Sequence, residues 1–213
     1  MIYMDRYKYD LKPRLEIPRL KTVKELLADE LRFIPTGPKG SELSILRRNI
    51  AYQMQLLQFL IETYQHYNVY AAVESSVYRV AVITAGNLYE NLLYVSCIIK
   101  KIEEVRQIRG FYPKLQLAHK NKIISDNLRE ELNAIYKIRN TLHPQEQEDL
   151  DLYEFNQGVA DRAGSALNDL LEELLINFGV AKPYEKPGVL KICEFCQAQV
   201  MYDFCQNCGA VVM

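Results

Sequence analysis

Four cysteines near the C-terminus carry the most specific chemistry in the chain. Cys193 and Cys196 are separated by two residues, Cys205 and Cys208 likewise, and eight residues lie between the pairs. Two such tight turns present four thiolates to one tetrahedral ion, which is the pattern of a zinc ribbon. Four cysteines occupy every position around zinc and leave none for water or substrate, so the predicted ion is structural. The alternative, a disulfide pair or a redox motif, fits a reducing compartment less well. A segment this short has no adequate core of its own, and metal binding is its folding energy. Val200 to Tyr202 and Ala210 to Met213 can supply its short strands. Only Lys191 is basic near the cysteines, while Glu194 and Asp203 are acidic, which favours protein contact or capping over phosphate binding. The fifth cysteine, Cys97, reads as a small buried side chain.

A second group of residues reads Lys137-Ile138-Arg139-Asn140-Thr141-Leu142-His143-Pro144. Arg139 and His143 are four apart, hence one helical turn from each other on one face. A histidine with a pKa near ~6.5 can take a proton from a ribose 2′-hydroxyl. An arginine can hold the non-bridging phosphate oxygens as negative charge builds on them. Asn140 adds a hydrogen-bonding group. The same pair can instead cap carbonyls at a helix end. His119, Lys120 and Lys122, in a basic stretch with Lys114, are candidate RNA contacts or simply a solvated face. His66 is a poorer candidate, placed near the end of a helix among tyrosines.

These residues need helices to position them, and the spacing of apolar residues predicts an all-α protein. Residues 1–40, with Pro13, Pro18, Pro35 and Pro38, read as an arm. It contains one short helix capped by Thr22 and Glu25. A long helix is expected from Ser41 to about Tyr67, and a second from Ala72 to Gln107 with Val73, Val77, Val80, Ile83 and Ala81 opening its buried face. Gly86 in its middle predicts close approach of a neighbouring helix, since glycine there costs about 1 kcal/mol against alanine. A short helix is expected over Leu115–Ile123 after the break at Gly110 and Pro113. The next runs from Leu128 to His143, capped by Asn127 and Glu130 and closed by Pro144. The last spans Phe155–Phe178, ended by Gly179. Short connections between long helices favour an antiparallel bundle over residues 41–179. Residues 180–190 then form a linker, and 191–213 the ribbon.

Of the 213 residues, 49% are hydrophobic and 25% charged, enough for a real core. The net charge of -1 provides no global field for nucleic acid, so any contact with it must be local. The apolar stretch from Val77 to Ile99 includes Arg79, Asn87, Glu90 and Asn91, too many polar groups for a bilayer span. With a charged, proline-broken N-terminus, the expectation is a cytoplasmic protein with no membrane contact.

Two stretches resemble the HEPN superfamily of helical nucleotide-binding proteins. One is Ala81 to Leu93, AVITAGNLYENLL, which is similar to the family's early core helix; the other is Leu115 to Pro144, ending in Arg139-Asn140 and His143-Pro144. The resemblance covers residues 70–178. It implies a bundle that dimerises, bringing two Arg–His motifs into one cleft, and a metal-independent endoribonuclease of toxin or phage-defence type. Arg139 would bind the phosphate, His143 would be the general base, Asn140 would orient the motif, and Glu90 would pair with Arg139. The family motif has four to six residues between Arg and His; here there are three, which turns His143 by about 100° around the helix. The other reading is a non-catalytic module that binds a partner protein or RNA.

Overall fold

A computed structural model of the chain describes residues 19–66, 71–140 and 156–180, and the backbone of 191–192 and 199–200. The chain divides into two compact units at Val180 and Ala181. The first is all-helical among the described residues.

Among the described residues it contains six α-helices, α1 (Val23–Ala28), α2 (Glu42–His66), α3 (Ala71–Ile99), α4 (Phe111–Lys120), α5 (Asp126–Asn140) and α6 (Gln157–Asn177), with a 3₁₀ turn over Glu103–Gln107. α1 starts on the expected capping box. The Thr22 hydroxyl accepts from the Glu25 amide at 3.3 Å, and the Glu25 carboxylate accepts from the Thr22 amide at 2.7 Å. Leu26 within it and Leu31, Phe33 and Ile34 after it are buried in the core. The Arg47 guanidinium ties this segment to α2 by donating to the carbonyls of Leu27 (2.5 Å) and Leu31 (3.2 Å). Ser41 caps α2, its hydroxyl accepting from the Ser44 amide at 3.3 Å.

α3 is the central helix, packed against α2, α4, α5 and α6. Asn91 donates to Gln53 and Tyr94 donates to Glu42, so residue numbers rise along α3 as they fall along α2, and the two are antiparallel. The start of α3 departs from expectation. Val73 and Val80 are 60% and 42% exposed, while Ala81 is buried as expected and Tyr78, Val82 and Ala85 are buried with it. The buried stripe is the one facing the groove between α2 and α6, and small alanines there let those helices come close. By length and mean hydropathy (1.3), Val73–Ile99 is apolar enough to cross a membrane, but 67% of that window is buried inside the protein, as befits a core helix. Cys97 is among its fully buried residues.

α3 ends at Ile99, eight residues short of the expected Gln107. Lys101 takes a left-handed conformation (φ 59°), its amide bonds to the Ile98 carbonyl, and the Ile102 amide bonds to Cys97. This is a Schellman stop in which lysine stands where glycine is usual. α4 ends the same way at Lys122 (φ 55°), and α6 at Gly179 (φ 67°), the one stop of the three with the expected residue.

α4 begins earlier than expected, at Phe111, with Pro113 inside its first turn. First-turn amides have no intrahelical partner, so proline is tolerated there. Phe111 is fully buried and stacks on Tyr136 of α5 at 4.3 Å. α5 begins at Asp126 rather than Leu128, and its cap is Ser125 instead of Asn127. The Ser125 hydroxyl accepts from the Leu128 amide at 3.3 Å and also bonds Glu173 of α6. α6 has the expected stripe: Ala163, Leu167, Leu170, Leu171 and Leu174 are buried, and Asn156 caps it through the Val159 amide. The buried Tyr89 hydroxyl of α3 donates to the Ala163 carbonyl at 2.5 Å.

In the second unit, β1 (Lys191–Ile192) and β2 (Gln199–Val200) pair antiparallel, Lys191 opposite Val200 and Ile192 opposite Gln199. Of the strands expected, one overlaps β2 at Val200; residues 201–213 lie outside the described residues.

Candidate active site and metal-binding segment

Arg139 lies in the last described turn of α5 and reaches across to α3. A Cβ built on Gly86 would stand 2.7 Å from Arg139 Cδ and 3.2 Å from Nε. The aliphatic part of the arginine therefore lies in the space that a side chain at residue 86 would take. This is the close approach expected at Gly86, made by a side chain of α5. Beyond it, Arg139 Nη2 donates to Asn87 Oδ1 at 2.7 Å, and the guanidinium carbon is 5.4 Å from the centre of the Tyr136 ring. Tyr136 is itself held by its stack on Phe111. Arg139 is thus fixed on three sides: a glycine seat, an amide oxygen and an aromatic face. Among the described residues its partners are neutral, and no carboxylate forms an ion pair with it.

The expected Glu90–Arg139 pair is not formed. Glu90 accepts instead from Lys114 Nζ of α4 at 2.7 Å, and the same ammonium lies 5.5 Å from the centre of the Tyr94 ring. Glu90 is four residues after Gly86 on α3, one turn too far along for an arginine seated on Gly86, whereas Asn87 is adjacent. Asn140 is exposed. His143 lies outside the described residues.

His119 Nε2 is 2.9 Å from Asp126 Oδ1, which ties the end of α4 to the start of α5. Lys120 and Lys122 are exposed, Lys122 at the left-handed stop of α4. Other basic residues between Lys100 and Lys122 meet partners within the fold. Arg106 bonds Glu42 and Glu103, Lys114 bonds Glu90, and Lys100 lies 5.0 Å from the centre of the Phe178 ring. His66 pairs with Glu62 one turn earlier at 2.9 Å.

Cys193, Cys196, Cys205 and Cys208 lie outside the described residues; the β1–β2 pair brackets Cys193 and Cys196 in sequence. Four cysteine thiols in two close pairs fit zinc and leave no open coordination position. Among the described residues, no group of three or more His, Cys, Asp or Glu is placed to hold a metal.

Sequence reasoning did not foresee Asn87 and Tyr136. Both had a signal: Asn87 is a polar residue beside a mid-helix glycine in an otherwise apolar helix, and Tyr136 is three residues before Arg139, on its face. No protein-family model, curated protein or solved structure matches this chain.

Proposed function

We propose that this chain is a HEPN-like, metal-independent endoribonuclease whose active centre is Arg139, Asn140 and His143, with a structural zinc ion in its four-cysteine ribbon. One observation carries the reading. Among the described residues the Arg139 guanidinium is held by neutral groups, the Asn87 amide oxygen at 2.7 Å and the Tyr136 ring, so its position is set while no described carboxylate offsets its charge. A phosphate-binding cation in a catalytic site needs this combination, because fixed dipoles and charges require no reorganisation as the transition state develops. In the reaction, His143 takes the proton of a ribose 2′-hydroxyl, whose oxygen attacks the adjacent phosphorus. The bond to the 5′-oxygen breaks and that oxygen takes up a proton. The products carry a 2′,3′-cyclic phosphate and a 5′-hydroxyl. Arg139 binds the non-bridging oxygens throughout.

The partner in this reading is a second copy of the chain, docked through α2. Ile45, Tyr52, Leu56 and Phe59 are each 46–55% exposed, and their steps of seven, four and three residues place them on one helix face. Two half-exposed aromatic and two aliphatic side chains present roughly 400 Å² of apolar surface. That is about half of the ~800 Å² that each partner brings to a standard interface, and a twofold axis makes such a stripe complementary to itself. The protein works in the cytoplasm.

A second reading, a non-catalytic module that binds protein or RNA, draws on the same arginine. Seated on Gly86 and bonded to Asn87, Arg139 also staples α5 to α3. Labelled RNA incubated in EDTA with wild type, His143→Ala and Arg139→Ala separates the two readings. The nuclease reading requires cleavage by wild type, cyclic-phosphate ends, and a loss of at least about a hundredfold in His143→Ala, a residue with no stapling role assigned. Absence of cleavage by wild type, or equal cleavage by all three, leaves the module.

A further inference from the structure

A half-open cleft of ≈ 350 Å³ separates α2 from α6, well away in sequence from Arg139, and no role assigned above uses it. Its walls are apolar: Met54, Leu57 and Ile61 of α2 face Leu167 and Leu171 of α6. Its polar lining combines two carboxylates with the amides and hydroxyls of Gln58, Gln65, Ser165 and Asn168. Asp161 accepts from the Tyr64 hydroxyl through Oδ1 at 2.8 Å, and its second oxygen has no hydrogen bond among the described residues. Glu30 contributes a second carboxylate to the lining. The Gln58 side-chain oxygen is buried with no hydrogen-bond partner among the described residues. Among the described residues no lysine or arginine lines the cleft; Lys21, outside the lining, meets Glu30 Oε1 at 2.7 Å.

We infer that this cleft is a binding site for a small organic cation, an alkylguanidinium or alkylamine whose N–H groups meet Asp161, Glu30 and Gln58 and whose carbon chain lies along the leucines. A buried acceptor without a donor is costly, and a ligand N–H removes that cost. With Lys21 paired to Glu30, Asp161 leaves the cleft a net negative charge, which favours a cation over a phosphate. Planar guanidinium N–H groups suit a carboxylate in particular, forming paired charge-assisted bonds. The volume is at the lower end of small-molecule sites, and apolar walls with a few convergent polar groups are their usual make-up. Asp161 is already oriented by Tyr64, whose hydroxyl burial pushes to a higher pKa, so the phenol stays protonated and keeps donating to the carboxylate.

Calorimetric titration of the full-length chain with n-butylguanidinium tests this, with n-butylurea as its uncharged isostere. The expected result is saturable binding of butylguanidinium with Kd of about 1 mM or tighter. Butylurea should bind at least tenfold more weakly. Asp161→Asn, which retains an acceptor for Tyr64, should weaken butylguanidinium at least tenfold, and Leu167→Phe, which narrows the cleft without touching a charge, should also weaken it. Circular dichroism and thermal melting confirm that each variant is folded; where Asp161→Asn is not, Glu30→Gln takes its place with the same expectation. No saturable heat with wild type, equal binding of butylurea, or undiminished binding by the folded variants would overturn the assignment.

Discussion

Arg139 occupies the side-chain space that Gly86 leaves empty: its Cδ lies 2.7 Å from the point where a Cβ on residue 86 would be. Glycine at the middle of α3 forgoes about 1 kcal/mol of helix propensity, and in return α5 seats its arginine directly on the α3 backbone. Gly86→Ala should therefore destabilise the protein by about 1 kcal/mol, despite alanine's better propensity, because the Arg139 stem and its bond to Asn87 must move. In an Arg139→Ala background the same change should stabilise by up to about 1 kcal/mol. Urea unfolding of the four proteins measures the sign reversal; the same sign in both backgrounds would mean that the seat carries no energy.

Lys101 and Lys122 hold left-handed conformations that L side chains rarely adopt. Replacing either by glycine should stabilise the fold by about 1 kcal/mol, since glycine enters that region without the Cβ penalty. Lys122 is also a candidate RNA contact. If it binds phosphate, Lys122→Gly should raise the melting temperature while reducing the salt dependence of RNA affinity by about one charge. A change in stability alone would assign Lys122 to the helix stop.

For the ribbon, elemental analysis should find about one zinc per chain. Native protein should show no rapidly reacting thiol at pH 8. Four thiols should become reactive on chelation, whereas Cys97 should react only on unfolding, because burial pushes its thiol up to about 11. Metal-free protein with four titratable thiols as prepared would count against a resident ion.

Arg162 of α6 grips Glu131 of α5 through two bonds of 2.5 and 2.7 Å, which holds the carboxyl below the ordinary glutamate value of 4.5. A lowered carboxyl pKa gives stability that is fully present above pH 4.5 and lost as pH falls through the folded value. The pair is partly exposed, so solvent screening limits it to about 0.2–1 kcal/mol. Stability measured from pH 5 down to 3 should fall less steeply in Arg162→Ala than in wild type.

The α2 stripe gives a separate test. Phe59→Glu should convert a dimer to monomer in sedimentation without lowering the melting temperature of the isolated fold, since that ring is 55% exposed. A wild type that sediments as a monomer at high micromolar concentration removes the proposed interface.

Local patterns made much of the fold legible. The Thr22–Glu25 box, the Ser41 cap, the stripe of α6 and the Gly179 stop each depend on neighbours within a few residues in sequence, and each formed as read. The ends of α3 and α4 were not legible, because lysine rather than glycine carries the left-handed turn and only the surrounding packing forces it there. Likewise, which valines of α3 are buried depended on where α2 and α6 lie against it, and periodicity alone cannot say which of two apolar faces a neighbour will cover.

For the candidate site, the sequence by itself determined the inventory: an arginine near a histidine on one helical stretch, a glycine where a helix would prefer alanine, and two pairs of cysteines. Only the tertiary structure decided that Arg139 belongs with Gly86, Asn87 and Tyr136 rather than with Glu90, which Lys114 takes. The reason is geometric. Residue types and spacing specify which groups a helix can offer, but contacts between helices far apart in sequence depend on their rotation and depth of packing, and those follow from the whole core at once.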